Sequence, residues 1–153
     1  MALSPSKINW FLFFKLPSAF WCGVRLEQID EHACTTRVTH RWINQNPFKS
    51  MYFAVQAMAA ELSTGALVMH HIRHSGHAVS MLVASHKSVY HKKAVGRITF
   101  RCPDGDKIKQ SIAQAIASGH GQTCWMRADG FNAQGDTVSE MYFEWTVKAR
   151  VGR

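Results

Sequence analysis

One long apolar segment constrains the fold of this chain more than any other feature. Residues 41–73 read RWINQNPFKSMYFAVQAMAAELSTGALVMHHIR, and a helix formed from the centre of this segment is apolar on nearly every side. A helix that is hydrophobic all round must be buried. A single sheet of five or six strands covers only one side of such a helix. We therefore expect the first helix and a second subunit to cover the other side.

A single carboxylate, Glu61, lies within this apolar segment. No other Asp or Glu occurs between Glu31 and Asp104. A carboxylate in a core helix is costly unless it is paired, metal-bound or neutralised, so a residue kept there usually serves packing or chemistry. Two interpretations follow: Glu61 is buried against Arg or His and serves packing alone, or it is a catalytic group whose pKa is raised by burial.

The composition is typical of one globular domain. The chain has 153 residues, of which 46% are hydrophobic, and this is enough for one core but too little for two. The net charge of +8 favours an anionic partner, so nucleic acid, a phosphorylated cofactor and plain solubility all stay open. The four cysteines include no C-x-x-C pair and predict buried thiols in a reducing compartment.

No segment predicts insertion into a membrane or export. No apolar run reaches the length of about 20 residues that spans a bilayer. Lys7 and Lys15 bracket the short aromatic run from Trp10 to Phe14, and no small-x-small cleavage site follows. We therefore expect a cytoplasmic protein without a membrane partner, in which the aromatic run covers the core rather than anchoring the chain.

The periodicity of apolar residues predicts the order of the elements. A first helix covers residues 5–15 and ends at Pro17. The long helix begins at either Asn46 or Ser50, with Ser50 favoured, and ends near Gly76. A hairpin turns at 30–32, and one side of its second strand carries Thr36, Val38, His40 and Trp42. Further strands are predicted over 78–85, 94–101, 121–131 and 136–150, and an amphipathic helical insert closes at Gly119.

Together these elements predict a single α+β domain over residues 1–153. An antiparallel sheet of five or six strands wraps around the long central helix, with an N-terminal helix and a short helical insert. The N-terminal helix lies within residues 1–21, the core within 22–149, and residues 150–153 form a tail.

The segment around the long helix resembles the hotdog-fold acyl-coenzyme A thioesterases of the phenylacetate-degradation type. The likeness rests on N-P-x-x-S-x-Y-F-A followed by A-A-E-L-x-x-G-A-L, and it covers residues 22–148. In that family an Asn precedes the central helix, a His-Gly pair opens it, and an Asp or Glu follows about two turns later. Here Asn46 matches the Asn, Tyr52-Phe53 stands where His-Gly stands, and Glu61 matches the carboxylate.

The spacing of these residues requires two chains. Glu61 follows Phe53 by eight residues, or about 12 Å along a helix, so it cannot meet its own helix N-terminus over one small carbonyl group. If the two cooperate, they come from neighbouring subunits whose helices lie side by side. We therefore expect a homodimer with two interfacial sites, and the pairing of dimers into a tetramer stays open.

The resemblance implies hydrolysis of an acyl-coenzyme A thioester, with coenzyme A as part of the substrate and no separate cofactor. The Phe53 amide would polarise the carbonyl group, Glu61 of the other subunit would act as general base or nucleophile, and Asn46 would orient water or the carboxylate. A serine on the following strand, Ser85 or Ser80, would complete the site. Because Tyr52-Phe53 replaces His-Gly and narrows the approach to the backbone, the alternative is a module that binds an acyl chain without catalysis.

Basic residues that follow the long helix are candidates for phosphate binding. Lys92, Lys93 and Arg97 could hold the phosphates of coenzyme A, contact a nucleic-acid backbone, or keep strand edges apart. No nucleic-acid motif accompanies them, so no nucleic-acid partner is expected. His70 and His74 stand at zinc-like i, i+4 spacing, but no Cys, Asp or Glu joins them nearby in sequence, and no metal is expected.

Overall fold

The computed structural model describes residues 4–150 of the chain. Helices and strands alternate in the order expected of an α+β fold, which confirms the predicted class. The elements are α1 (Pro5–Lys15), α2 (Pro17–Trp21), β1 (Arg25–Ile29), β2 (Cys34–Thr39), a 3-10 turn (Trp42–Asn44), α3 (Phe53–Ser75), β3 (Val79–Tyr90), β4 (Arg97–Cys102), α4 (Gly105–Ser118), β5 (Gln122–Phe131) and β6 (Thr137–Ala149).

Six antiparallel strands form one sheet in the order β1-β2-β4-β5-β6-β3. The alternation predicted for the last strand is confirmed, since Met141, Phe143, Trp145 and Val147 of β6 are all buried. Their side chains belong to the same core as the inner face of α3. The sheet therefore wraps around the long helix as the sequence predicts.

A second helix lies along α3. The helical insert is confirmed as α4, which ends at Gly119 with a positive φ of 71° and buries Ile108 and Ile112. This helix packs against α3, whereas α1 packs mainly against α2 and β1. The helix beside α3 is thus α4 rather than the predicted first helix, because α1 lies over the edge of the sheet.

The start of α3 differs from both predicted positions. The helix begins at Phe53, with Tyr52 in the N-cap position, while Asn46 and Ser50 bond to each other within the preceding loop. Long-range contacts explain the shift. The Met51 amide donates to the Ala94 carbonyl at 2.8 Å, which holds residue 51 in an extended bridge rather than in a helical turn.

The second hairpin strand ends earlier than predicted. Thr36 and Val38 are buried as expected, but β2 stops at Thr39, and Trp42 lies in the 3-10 turn with 82% of its surface exposed. The buried Asn44 side chain explains this turn. It accepts from the Arg41 amide and donates to the carbonyls of Cys22 and Thr39, so the chain bends away before Trp42 can face the core.

The two edges of the sheet differ in how they are covered. At the β1 edge, the Asn9 side chain of α1 accepts from the Leu26 amide at 2.9 Å and donates to the Leu26 carbonyl at 3.1 Å. At the other edge, β3 runs for 12 residues and pairs with β6 on one side, while no strand of residues 4–150 pairs with its other side. The open edge is therefore the longer one, and β3 continues beyond the strand predicted over 78–85.

The aromatic run of α1 does not cover the core. Ile8 and Leu12 point inward, whereas Trp10 and Phe14 are 65% and 67% exposed. The prediction of a core cover is therefore wrong for these aromatic side chains, because helical periodicity turns Ile8 and Leu12, and not the aromatic residues, toward the sheet. Within residues 4–150, no helix has both the length and the apolar character needed to cross a bilayer.

Candidate active site

An open cavity of about 520 Å³ lies at the N-terminus of α3. Its walls are the loop that precedes the helix, the first turn of the helix, and the segment that follows β3. Five of the predicted site residues line it: Asn46, Tyr52, Phe53, Lys92 and Lys93. Residues from two distant parts of the sequence thus meet at one helix terminus.

The first amides of α3 are free to bind an acceptor. The Tyr52 amide donates to the Asn44 carbonyl, and the amides of Val55 and Gln56 donate to the Tyr52 carbonyl. Among the described residues, the amides of Phe53 and Ala54 have no hydrogen-bond acceptor. Unpaired amides at a helix N-terminus carry the positive end of the helix dipole, so they are suited to a developing negative charge.

Glu61 lies two turns further along α3, on a stripe that the chain leaves partly open. Ala54, Ala57, Met58 and Glu61 are all partly exposed and follow each other at helical spacing. Within residues 4–150, the Glu61 carboxylate has neither an ion-pair nor a hydrogen-bond partner, and burial raises its pKa. Among residues 4–150, therefore, no Arg or His side chain pairs with the Glu61 carboxylate.

Small and aromatic neighbours leave room for the carboxylate. A Cβ atom on Gly65 would lie 3.2 Å from Oε1 of Glu61 and 3.1 Å from the Trp145 ring. The Trp145 indole donates to Thr64 Oγ1 at 2.9 Å, and that hydroxyl donates to the Glu61 carbonyl at 2.9 Å. Strand β6 thus holds the helical turn from which the Glu61 side chain projects.

Residues 6–147 match the family described as Domain of unknown function (DUF4442). The chain belongs to the DUF4442 family. No curated protein matches its sequence. Its family membership therefore rests on the match to the family model, which spans nearly the whole chain.

Solved structures identify the fold of this DUF4442 chain. It is similar to a Pseudomonas aeruginosa protein described as a probable thioesterase, with 22% identity, a TM-score of 0.82 and coverage of 98% of this chain and 99% of that one. It is also similar to a putative thioesterase from Shewanella oneidensis, with 9% identity, a TM-score of 0.79 and coverage of 94% and 96%. A Haemophilus influenzae thioesterase matches with 10% identity, a TM-score of 0.74 and coverage of 100% and 96%. The predicted hotdog fold is confirmed.

The Asn46 side chain is engaged within its own loop. Its carbonyl oxygen accepts from the amides of Phe48 and Ser50 at 2.9 and 3.2 Å, and its amide group donates to Ser50 Oγ at 3.0 Å. Asn46 therefore holds the loop in the conformation that leads into α3 and lines the cavity.

Three other predicted residues lie in different surroundings. Ser85 is exposed on the open edge strand β3, next to an irregularity in its pairing with β6, and does not line the cavity. Arg97, at the start of β4, forms an ion pair with Glu27 of β1 and also lies outside the cavity. The alternative serine, Ser80, donates to the Lys148 carbonyl at 3.2 Å.

Two buried polar contacts that sequence reasoning missed anchor α3 to β6. Gln56 is buried, lines the cavity, and accepts from Ser139 Oγ of β6 at 3.0 Å. Trp145 makes the second contact through Thr64. The inward alternation of β6 marks Trp145 in the sequence, but Gln56 and Ser139 carry no sequence signal that pairs them.

The histidines and cysteines of residues 4–150 are not arranged as a metal site, and the buried thiols are not activated. His74 donates to the His70 carbonyl at 2.8 Å, and residues 4–150 contain no group of three or more His, Cys, Asp or Glu side chains that could hold a metal ion. Cys34, Cys102 and Cys124 are buried, and burial raises the pKa of the Cys102 thiol to about 12. Such a thiol stays protonated and is a poor nucleophile.

Glu61→Gln is expected to stabilise the fold at alkaline pH. Because burial raises the pKa of Glu61, the folded chain holds this proton more tightly than the unfolded chain does. The protonated side chain therefore adds stability below the ordinary glutamate range, and this contribution is lost as the pH rises through the raised pKa. Urea unfolding should find the variant more stable than the wild type by roughly 1 kcal/mol or more near pH 8, with the difference vanishing near pH 4.

A loss of stability in Glu61→Gln near pH 8 would contradict this prediction. If Glu61→Gln is less stable than the wild type near pH 8, the carboxylate makes a stabilising contact and serves packing. Glu31→Gln is the matched control, since Glu31 is exposed and its carboxylate forms only surface ion pairs, with Lys109 and His32. Its stability should stay within a few tenths of a kcal/mol of the wild type at both pH values.

Proposed function

We propose that this DUF4442 protein hydrolyses an acyl thioester whose thiol part is coenzyme A. The observation that carries the proposal is the Glu61 carboxylate, which is largely buried, has a raised pKa and lacks a partner among the described residues. A carboxylate with a raised pKa is suited to act as a general base near neutral pH. The names of the similar solved structures are consistent with this activity.

The proposed enzyme is a homodimer with two sites between its subunits. In one chain, Glu61 is about 12 Å along the helix from the Phe53 amide, so a small substrate cannot contact both. The partly open stripe of α3 and the open edge of β3 give a second copy two surfaces to cover. A twofold axis between antiparallel α3 helices would bring Glu61 of each subunit toward Phe53 of the other.

The proposed reaction is a general-base hydrolysis. Glu61 takes a proton from water, and the water oxygen forms a bond to the thioester carbon. The carbonyl oxygen becomes an oxyanion that accepts from the amides of Phe53 and Ala54 of the other subunit. The C–S bond then breaks, the carboxylic acid is released, and the thiolate of coenzyme A takes up the proton from Glu61.

Two lysines at the cavity are the proposed contacts for the phosphates of coenzyme A. Lys93 is exposed and its ammonium group lies 3.4 Å from the Phe48 carbonyl. Lys92 is exposed and paired with Asp136 at 2.9 Å, a surface ion pair that a phosphate can replace. Arg97 is not part of this proposal because it faces Glu27 outside the cavity.

A second candidate function is the binding of an acyl chain without turnover. The observation that favours it is the aromatic lining of the cavity, where the Phe53 ring lies 5.0 Å from the Tyr52 ring and 6.2 Å from the Tyr90 ring. Tyr52 and Phe53 stand where the thioesterases that this chain resembles carry His-Gly, and together with Tyr90 they offer an apolar surface to an acyl chain.

The release of free thiol from a panel of acyl-coenzyme A substrates tests the proposal. The panel runs from acetyl to long-chain and aromatic acyl groups, with direct binding measured in parallel. Thiol release above the uncatalysed rate with at least one substrate supports hydrolysis. Saturable binding without thiol release across the panel would favour the acyl-binding candidate and contradict hydrolysis.

Leu82→Arg is expected to weaken the proposed dimer. Leu82 lies on the open edge strand and is strongly exposed, so an interface at this edge would place one introduced charge from each subunit at the contact. Sedimentation should find a dimer of the 17.3 kDa wild-type chain and a dissociation constant for the variant that is at least about tenfold higher. Val95→Arg, at an exposed position outside the strand, is the control; if both variants sediment like the wild type, β3 is not the dimer edge.

A further inference from the structure

The N-terminal helices carry a continuous aromatic surface that the proposed reaction does not use. The Trp10 ring stacks on the Phe14 ring at 5.9 Å, and the Phe13 ring lies 4.8 Å from Phe14 and 5.1 Å from Phe20. We call this the aromatic surface and define it by Trp10, Phe13, Phe14, Phe20 and Trp21. A cavity of about 340 Å³ opens on it between α1 and α2.

Positive charge surrounds the aromatic surface. The Arg25 guanidinium lies 3.6 Å above the Phe20 ring, and a further cavity of about 450 Å³ brings Arg25 and Arg41 together with Trp21 and Trp42. Neither arginine forms an ion pair with a carboxylate of residues 4–150. Burial lowers the pKa of Arg25, and the positive charges of Arg37 and Arg41 lower it further.

The exposed face of α1 also combines aromatic rings with positive charge. Lys7, Trp10 and Phe14 follow each other at i, i+3 and i+7, so they lie along one face of the helix. Lys15 closes the last turn of the helix. Residues 1–26 contain no Asp or Glu, so this face has no negative side chain of its own.

We propose that the aromatic surface binds an anionic phospholipid bilayer at its headgroup region. Trp and Phe side chains beside Lys and Arg are suited to that region, because the rings enter the acyl boundary while the cations contact lipid phosphates. Because α1 has 11 residues and α2 has 5, the helices lie on the membrane and do not cross it.

Charge favours a lipid surface over a second copy of the chain. An isologous contact through the aromatic surface would bring Lys7, Lys15, Arg25 and Arg41 of both copies together, and neither arginine has a carboxylate partner among the described residues to offset this repulsion. An anionic bilayer neutralises the same four charges. The inference concerns a surface formed by α1, α2 and the 3-10 turn, so it goes beyond the hydrolysis proposed at the start of α3.

Co-sedimentation with vesicles tests the proposal directly. Vesicles of phosphatidylcholine alone are compared with vesicles that also contain phosphatidylglycerol, at low and at high sodium chloride. We expect binding to the anionic vesicles at low salt and weaker binding at high salt, because salt screens the contribution of the basic residues. No binding to anionic vesicles at low salt would overturn the proposal.

Two double variants separate the aromatic and the charged contributions. Trp10→Ser with Phe14→Ser should weaken vesicle binding at least about tenfold, since both exposed rings lose their apolar contact. Lys7→Gln with Lys15→Gln should weaken it about fivefold for each lysine removed. Neither change touches the core, so the urea concentration at the midpoint of unfolding should be the same for both variants as for the wild type.

Matched controls and one competing outcome complete the experiment. Trp125→Ser removes a half-exposed ring from β5, and Lys109→Gln with Lys148→Gln removes the same charge from other surfaces; both should bind vesicles like the wild type. Equal loss in test and control variants would overturn the proposal. So would a fall in the sedimenting mass caused by Trp10→Ser with Phe14→Ser, because that result would assign the aromatic surface to a contact between copies.

Discussion

Glu61→Gln is expected to lower kcat/KM for thioester hydrolysis by about two to four orders of magnitude. Glutamine keeps the shape of the side chain and its place beside Gly65 and Trp145, but it cannot take a proton from water. The loss should fall mainly on kcat, because the proposed role of Glu61 is in the chemical step rather than in substrate binding.

The pH dependence of the rate gives a second signature of the same residue. Because burial raises the pKa of Glu61, the rise of kcat/KM with pH should occur above the ordinary glutamate range. This rise should be absent from the residual activity of Glu61→Gln. Glu31→Gln, at an exposed position away from the cavity, should keep the wild-type rate and profile. Equal rates for wild type and Glu61→Gln would remove Glu61 from the mechanism.

Phe53→Pro is expected to lower kcat by about two to three orders of magnitude, the usual cost of removing one oxyanion donor. Proline lacks the amide hydrogen that the proposed oxyanion needs. The position tolerates the change, because Phe53 is the first residue of α3 and Tyr52 before it has an extended ψ of 133°, as a residue before proline requires.

The matched control is Phe53→Ala, which removes the ring and keeps the amide. It should retain kcat or raise it, since the smaller side chain opens the approach to the backbone. If Phe53→Pro folds with wild-type stability and turns over like Phe53→Ala, the Phe53 amide is not the oxyanion donor. If both variants change the affinity for acyl chains equally, the ring matters and the amide hydrogen does not, and the acyl-binding candidate is favoured.

The sequence predicts the course of α3 better than its start. Its apolar surface and Gly76 identify the helix and its end, and Gly76 has the expected left-handed φ of 71°. The start is set by tertiary contacts: the amides of Met51 and Tyr52 are bound by Ala94 and Asn44. Local capping rules cannot anticipate partners that come from another part of the chain, so Ser50 looks like a cap and serves the loop instead.

The candidate site is predictable where one segment carries it. Glu61 is evident because the sequence has so few acidic residues near it. Asn46, Tyr52 and Phe53 lie close together in the sequence, so they line one cavity at the start of α3. Arg97 depends on the strand order, which pairs β4 with β2 and brings Glu27 of β1 within reach.

The surface of the N-terminal helices could not be predicted from the same patterns. A run of aromatic residues in a short helix has the same periodicity whether its rings cover a core or face outward. Only the docking of Ile8 and Leu12 decides which face is buried. For Trp42, the side chain of Asn44 bends the backbone, a contact that no alternation pattern contains.

Activity in mixed dimers tests most directly whether the site is shared between two subunits. Glu61→Gln and Phe53→Pro chains are co-expressed with different affinity tags, and the unfractionated mixture and the doubly purified mixed dimers are assayed. Each mixed dimer would contain one intact pair of Phe53 and Glu61, so the mixture should recover about a quarter of wild-type activity although each variant alone is nearly inactive. Mixed dimers that hydrolyse no faster than the parent variants, or a chain that stays monomeric, would contradict a site built from two subunits.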